Sequence, residues 1–375
     1  MRKMIRLSKS CIDNNEQVAV NKVLKNGYLG MGRDVQEFEN QLSHIFDRKV
    51  VCLVNGTAAL HLALQACGIS SGDEVLIPTI TYIASFQAIS ASGARAIACD
   101  INKETLLLDI DDAEKKVTEK TKVLMLVHYA GDAGDLDLYY SFARKYNLRV
   151  IEDAAHAFGT IHKKKLIGSF GDIACFSFDG IKNITSGEGG CVVSNDMDII
   201  NKVKNARLLG VEKDTEKRYK NDRTWNLDVK HQGWRYHMSN IMAAIGLEQL
   251  KKLDTFTSRR RLIAKKYDDL FLKSKLIQPF ERDYNNIVPH IYVVRIPTMQ
   301  NRDFVVNAMG EKGIQVGYHY QPNHTLEFFE QNNSSLPNSE QVFPKILSLP
   351  LHPELSDIDI NIVANELIRI LKNLK

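Results

Sequence analysis

Short apolar runs alternate with amphipathic stretches through the first half of the chain. Lys49 to Val54 is an apolar run. Asn55-Gly56-Thr57-Ala58-Ala59 then turns into a helical pattern, Ala58 to Cys67, stopped by Gly68. Strands are predicted at Glu74 to Ile77, Ala94 to Cys99, Lys122 to His128 and Leu148 to Ile151, the last ending at Glu152-Asp153. Helices are predicted at Tyr82 to Ser92 and Asp135 to Tyr146. The strand runs are nearly all apolar, as a sheet buried on both faces requires. Alternating strands and helices therefore predict an α/β fold with a mostly parallel sheet between helices. Two helices, Asn14 to Lys25 and Val35 to Phe46, flank a glycine-rich loop at 26–32. Asp172 to Phe178 and Cys191 to Ser194 read as strands on either side of Lys182 and Gly187, Gly189 and Gly190.

Beyond Val193 the pattern changes. Asp196 to Arg207 reads as a helix, residues 209 to 237 as charged and irregular, and Ser239 to Leu253 as a helix. A long helix from Ser258 to Lys273 follows, and it sets a boundary: a large domain with an N-terminal arm over 1–255 and a small α+β domain over 256–375. The small domain is predicted to hold strands at His290 to Ile296 and Ile314 to Tyr320. Its helices are predicted at Arg302 to Glu311 and Asp359 to Leu374.

Composition changes this picture little. The 375 residues are 44% apolar and 25% charged, with a formal charge of +4. No basic block or aromatic-basic interleaving points to nucleic acid. The start of the chain lacks the apolar core of a signal peptide, and no run reaches membrane-spanning length, so a cytoplasmic protein is expected. Six scattered cysteines, several inside apolar runs, read as structural thiols in a reducing compartment, with no metal set.

In an open α/β sheet, ligands bind outside the carboxyl ends of the strands. Gly56-Thr57-Ala58 opens a helix there, where free amides and the helix dipole favour a phosphate. Asp153 ends a strand among small residues, and Lys182 follows another. Each has a plainer reading alone: an N-cap, a second N-cap, a solvated lysine. Together they fit pyridoxal 5'-phosphate, which needs an amine for a Schiff base, a carboxylate at its ring nitrogen and a phosphate seat. Tyr82 is placed to stack on the ring, and Ser177 offers a hydroxyl to the phosphate. No G-x-G-x-x-G or Walker motif supports a dinucleotide or a nucleoside triphosphate.

These residues resemble the DegT/DnrJ/EryC1/StrS aminotransferases almost end to end. The resemblance rests on Asn55-Gly56-Thr57-Ala58-Ala59-Leu60-His61-Leu62, Pro78-Thr79-Ile80-Thr81-Tyr82 and Glu152-Asp153-Ala154-Ala155-His156-Ala157-Phe158-Gly159. It continues through Ser177-Phe178 to Gly190 around Lys182-Asn183, Tyr236 to Gly246, and His319-Tyr320-x-Pro322-x-His324. It implies a fold type I aminotransferase with a seven-stranded sheet, a smaller C-terminal domain and a homodimer with shared active sites. Lys182 would hold the cofactor, Asp153 its pyridine nitrogen, Tyr82 its ring and His156 its ring hydroxyl. Gly56, Thr57, Ala58 and Ser177 would bind its phosphate. Arg235 stands where relatives have an asparagine that reaches the partner subunit's phosphate. Tyr28, Tyr129, Glu188, Arg218, Tyr219, His319, Tyr320 and His324 are candidates for sugar contact. Thr185-Ser186-Gly187-Glu188-Gly189-Gly190 looks like members that aminate C4 of a nucleotide-linked 4-keto-6-deoxyhexose, with L-glutamate as donor, for O-antigen synthesis. The alternatives are a C3 aminotransferase of the same family and a non-catalytic cofactor- or nucleotide-sugar-binding regulator.

Overall fold

The apolar runs form the centre of the molecule. The structure is a computed structural model that describes residues 4–223, 225, 227–297, 302–329 and 335–374. Thr224 and Asn226, inside the stretch expected to be irregular, lie outside the described residues.

A seven-stranded sheet is built from β1 (Lys49–Leu53), β2 (Glu74–Pro78), β3 (Arg95–Cys99), β4 (Thr121–Val127), β5 (Arg149–Asp153), β8 (Ile173–Ser177) and β9 (Gly190–Ser194). Between β5 and β8, β6 (Ile161–His162) and β7 (Lys165–Leu166) make a small hairpin. The order across the large sheet is β1-β9-β8-β5-β4-β2-β3. Only β9 runs against the others. Residues such as Val51, Leu76, Ile77, Val123, Leu124, Ile151 and Val192 are fully buried, so both faces of the sheet are covered. That burial explains the continuous apolar runs.

One face packs α3 (Gly56–Ala66), α4 (Ile83–Ala91) and α7 (Met197–Ala206). The other packs α2 (Arg33–Phe46), α6 (Leu136–Lys145) and part of α9 (Asn240–Leu250), with α1 (Asn14–Asn26) outside α9. The short helices α5 (Ile110–Lys115) and α8 (Asp214–Tyr219) were not expected from the sequence. At α1, Asp13 and Glu16 form a reciprocal capping box, and Gly27 ends the helix in the left-handed region. Asn55 caps α3 by accepting from Ala58 N–H at 2.8 Å.

Helix α10 (Leu253–Ser274) leads into a second core. This core joins Ile263, Tyr267 and Phe271 of α10 to α11 (Arg302–Glu311), α13 (Asp357–Lys372) and a three-stranded antiparallel sheet. The strands are β10 (Gln278–Pro279), β11 (Tyr292–Arg295) and β12 (Ile346–Leu349), with α12 (Pro337–Val342) just before β12. Residues 314–320, expected as a strand, make only isolated bridges, Ile5 to Ile314 and Gly317 to Ser348. The third strand is instead Ile346–Leu349, an apolar run between two prolines that the sequence reading passed over. Ile5 packs into this second core, which ties the N-terminal arm to the C-terminal unit.

No helix among the described residues is long and apolar enough to cross a membrane. All six cysteines are free, and Cys52, Cys99, Cys175 and Cys191 are buried.

Candidate active site

The carboxyl ends of β5 and β8, the start of α3 and the start of α4 meet around one cavity of about 610 Å³. Asn55, Gly56, Thr57, Tyr82, Asp153, His156, Ser177 and Lys182 line it, with Glu188, His319 and Tyr320 across the mouth. Residues of six separate stretches thus converge where a doubly covered sheet places ligands.

The phosphate seat is built first by the sheet. Asn55 takes the amides of Ala58 and Ala59, by side chain and carbonyl. Among the described residues, the amides of Gly56 and Thr57 keep no partner in the chain, as expected for the first turn of a helix. Gly56 stands against β8: a Cβ there would lie 2.8 Å from Ser177 Cβ. Ser177 Oγ accepts from Asp179 N–H at 3.3 Å, which leaves its proton free for an anion. Ala58 contributes through the cap, because its amide is already bonded.

Asp153 is buried at the end of β5. Ser85 O–H on α4 donates to its Oδ2 at 2.6 Å, and Ala155 N–H donates to Oδ1 at 3.2 Å. Ser85 was missed from the sequence, since a serine one turn into an apolar helix carries no signal of its own.

The chain leaves β8 at Ser177 and returns to β9 at Gly190, and these two residues are paired. Between them, Phe178 N–H donates to Gly189 O at 2.8 Å and Asn183 Nδ2 donates to Phe158 O at 2.9 Å. Thr185 Oγ1 accepts from Gly187 N–H at 2.9 Å, and Gly187 takes a positive φ of 81°. This web holds Lys182 in place. Lys182 is half-buried and lines the cavity. Burial lowers the Lys182 amine to about 8, against the pull of Asp153 and Asp179 and with help from the Arg260 charge.

Three histidines surround the lysine. His290 Nε2 lies 3.4 Å from Lys182 Nζ, and the His156 and His290 rings are 4.4 Å apart. Burial and then the Lys182 charge push His156 and His290 well below the ordinary histidine range, and the same causes lower His319 to about 4. All three are neutral at pH 7. His156 accepts from Ala130 N–H at Nδ1 (3.3 Å), so its proton sits on Nε2 and is donated to Tyr320 Oη at 3.1 Å. The Tyr320 proton then points elsewhere. His290 was counted only as the start of a strand in the sequence reading.

Tyr82 is 58% exposed at the start of α4, with its ring 5.6 Å from that of Tyr320. Burial raises the Glu188 carboxyl. Cys175 forms part of the wall, and burial followed by Asp153 keeps its thiol protonated.

The structure does not bring the remaining candidates to this cavity. Tyr129 is fully buried, and its hydroxyl donates to His319 O. Tyr219 and Arg207 hold Glu39, and Arg218 pairs with Asp214 within one helix turn. His324 is bonded to Thr79 at 2.8 Å and to Glu340. The side chains of these four residues are held by partners within the chain and do not line this cavity. Tyr28 sits in the glycine-rich loop, with its carbonyl held by Asn240. Arg235 is exposed on the short bridge to Leu208.

An amine of lowered basicity, an acid buried at a strand end and an anion seat share one cavity. The class this defines is a pyridoxal-phosphate-dependent transferase. The chain belongs to the DegT/DnrJ/EryC1/StrS aminotransferase family, which matches residues 10–368. It is 37% identical over 363 residues to a GDP-perosamine synthase of Escherichia coli O157:H7, covering 95% of each chain. It is 33% identical over 372 residues to a dTDP-4-dehydro-2,3,6-trideoxy-D-glucose 4-aminotransferase of Saccharopolyspora spinosa, covering 97% of this chain and 96% of the other. The fold matches the aminotransferase TlmJ of Streptoalloteichus hindustanus with a TM-score of 0.92 at 28% identity, covering 99% and 100%. Pyridoxal 5'-phosphate is the cofactor, and the residues present fit it. The cradle that a Cβ at Gly56 would fill, the unused amides beside it and the Lys182 side chain lining the same cavity are the observations that test the fit.

Proposed function

We propose that the chain transfers an amino group from L-glutamate to C4 of a nucleotide-linked 4-keto-6-deoxyhexose. The first candidate is dTDP-4-keto-6-deoxyglucose, and the 4-amino-4,6-dideoxyhexose formed serves surface polysaccharide such as O-antigen. The observation that carries the reading is one cavity that gathers Lys182, Asp153 and the α3 start, with burial lowering the Lys182 amine to about 8. The name of the Saccharopolyspora spinosa relative, a 4-aminotransferase, supports amination at C4, as does the Thr185 to Gly190 turn.

When bound, pyridoxal phosphate supplies an electron sink that lets a hydrogen leave the donor's α-carbon as a proton. Gly56, Thr57 and Ser177 would hold its phosphate, Asp153 its ring nitrogen, Tyr82 its ring face, and His156 its ring hydroxyl. Lys182 Nζ moves the proton. With its amine at about 8, roughly one molecule in ten has a free base at pH 7, a few hundredfold more than an ordinary lysine offers. Neutral His156 and Tyr320 orient the sugar side without adding charge. Arg235 is exposed, and so are the large apolar side chains of Leu227 and Trp225, at 68% and 83%. That surface supports a homodimer in which Arg235 serves the partner's site.

The test is direct. Purified protein absorbs in the visible, and borohydride fixes the cofactor to Lys182. Lys182→Ala loses the fixed adduct and turnover. Thymidine-, uridine- and guanosine-linked 4-keto sugars with glutamate give a product aminated at C4 by NMR. A colourless protein that cannot be reconstituted refutes the reading, and amination of 3-keto sugars alone moves the chemistry to C3.

A further inference from the structure

Helix α10 buries an arginine that pairs with no acid among the described residues. Arg260 is 2% exposed. Its Nη1 donates to the carbonyl oxygens of His290 (3.1 Å), Leu351 (3.4 Å) and Pro289 (3.5 Å). Its Nη2 donates to those of Lys182 (3.4 Å) and Ile181 (3.5 Å). Nε keeps no partner among the described residues. Burial lowers the guanidinium to about 10, and only the Cys11 thiol acts against that, so the side chain is still charged at pH 7.

Carbonyl dipoles satisfy hydrogen bonds but supply no net negative charge. A buried cation with no counter-ion is costly, and an apolar side chain of similar volume avoids that cost. The position of this charge is what distinguishes it. It touches the backbone of Lys182 on one side and of His290 on the other, and His290 faces the Lys182 amine.

We propose that Arg260 is a positioning residue for the transamination. Its fork fixes the Lys182 loop against His290 and Leu351 and sets a permanent positive charge beside the amine. This inference rests on Lys182 being the cofactor lysine. Other groups facing the amine are Asp153 on β5, Asp179 in its own loop, Glu188 and Tyr82 across the cavity, Tyr320, and the neutral His156, His290 and His319. The two aspartates favour the ammonium, and Arg260 opposes them. Arg260 likewise disfavours a charged His290. The arrangement separates two roles that a carboxylate-paired arginine could not combine. The fork fixes geometry, and the unspent charge adjusts basicity.

The test uses full-length protein carrying the cofactor in its amine form, so that Lys182 is unattached. Lysines are labelled competitively with acetic anhydride across pH 6 to 10, and the Lys182 peptide is followed by mass spectrometry. The wild-type midpoint lies below that of an ordinary lysine. Arg260→Met raises it by half a unit or more, which cuts labelling at pH 7 about threefold. Cys11→Asp leaves the fork intact, places a carboxylate near it and raises the midpoint in the same direction. Arg260→Lys keeps the charge and the midpoint but lowers kcat, because one ammonium cannot span both sets of carbonyls. An unchanged midpoint in Arg260→Met and Cys11→Asp, with only the melting temperature lowered, overturns the proposal. Where Arg260→Met does not fold, Cys11→Asp decides alone. If borohydride fixes no adduct on wild-type Lys182, the reading of the site has failed instead.

Discussion

Gly56→Ala tests the phosphate seat with one methyl group. Gly56 does not have a positive φ, so alanine strains no backbone. The new Cβ would lie 2.8 Å from Ser177 Cβ, 3.2 Å from its Oγ and 3.4 Å from its Cα. Carbon atoms in good contact sit about 3.5–4.0 Å apart, so α3 and β8 must part by roughly 0.8 Å. Neither yields easily. Ser177 is paired with Gly190 on β9, and Asn55 fixes the helix start by its cap. Overpacking of this kind costs about 1–3 kcal/mol. If it falls on the seat, cofactor binding weakens about 5- to 150-fold. The assay is a spectrophotometric titration of cofactor-free protein with pyridoxal phosphate, beside a thermal melt. Adding Ser177→Gly removes the Cβ and Oγ contacts. The double variant recovers its melting temperature but not its affinity, since the hydroxyl is gone. A single variant with wild-type affinity and wild-type melting temperature refutes the cradle.

Three further outcomes follow from the same geometry. Ser85→Ala removes the 2.6 Å hydrogen bond to buried Asp153 and lowers urea stability of the cofactor-free protein by about 1.5–3 kcal/mol; an unchanged midpoint refutes it. Arg207→Ala leaves Glu39 buried without its cation and costs about 3–5 kcal/mol in the same measurement. A smaller loss than an average surface substitution would show that Tyr219 and Cys52 N–H suffice. Burial lowers His237, His319 and His352 to about 4, while the unfolded chain titrates near 6.5. These groups therefore contribute stability above pH 6.5 that is lost as pH falls toward 4. Urea midpoints constant over that window contradict the buried neutral rings.

The sheet and its ligand edge were legible because burial on both faces writes itself as unbroken apolar runs. Lys182, Asp153 and Gly56-Thr57 were legible because each follows such a run directly. The reversal of β9 follows from the short glycine-rich return after Lys182, which brings the chain straight back beside β8. The 314–320 stretch alternates enough to suggest a strand, yet it bridges Ile5 and Ser348 singly and turns toward the cavity at His319 and Tyr320. Ser85, His290 and Arg260 act on the site from helices and a strand start distant in sequence, so no local pattern announces them. Tyr219 and Arg218 looked available because their neighbourhood is polar. Their partners, Glu39 and Asp214, already occupy them.

The lone reversed strand has a consequence for how such an enzyme can vary. Because Ser177 and Gly190 share one rung of the ladder, the excursion that carries the lysine departs and returns at the same place. Its length and tip can change without moving either anchor, since widening a closed loop costs little entropy.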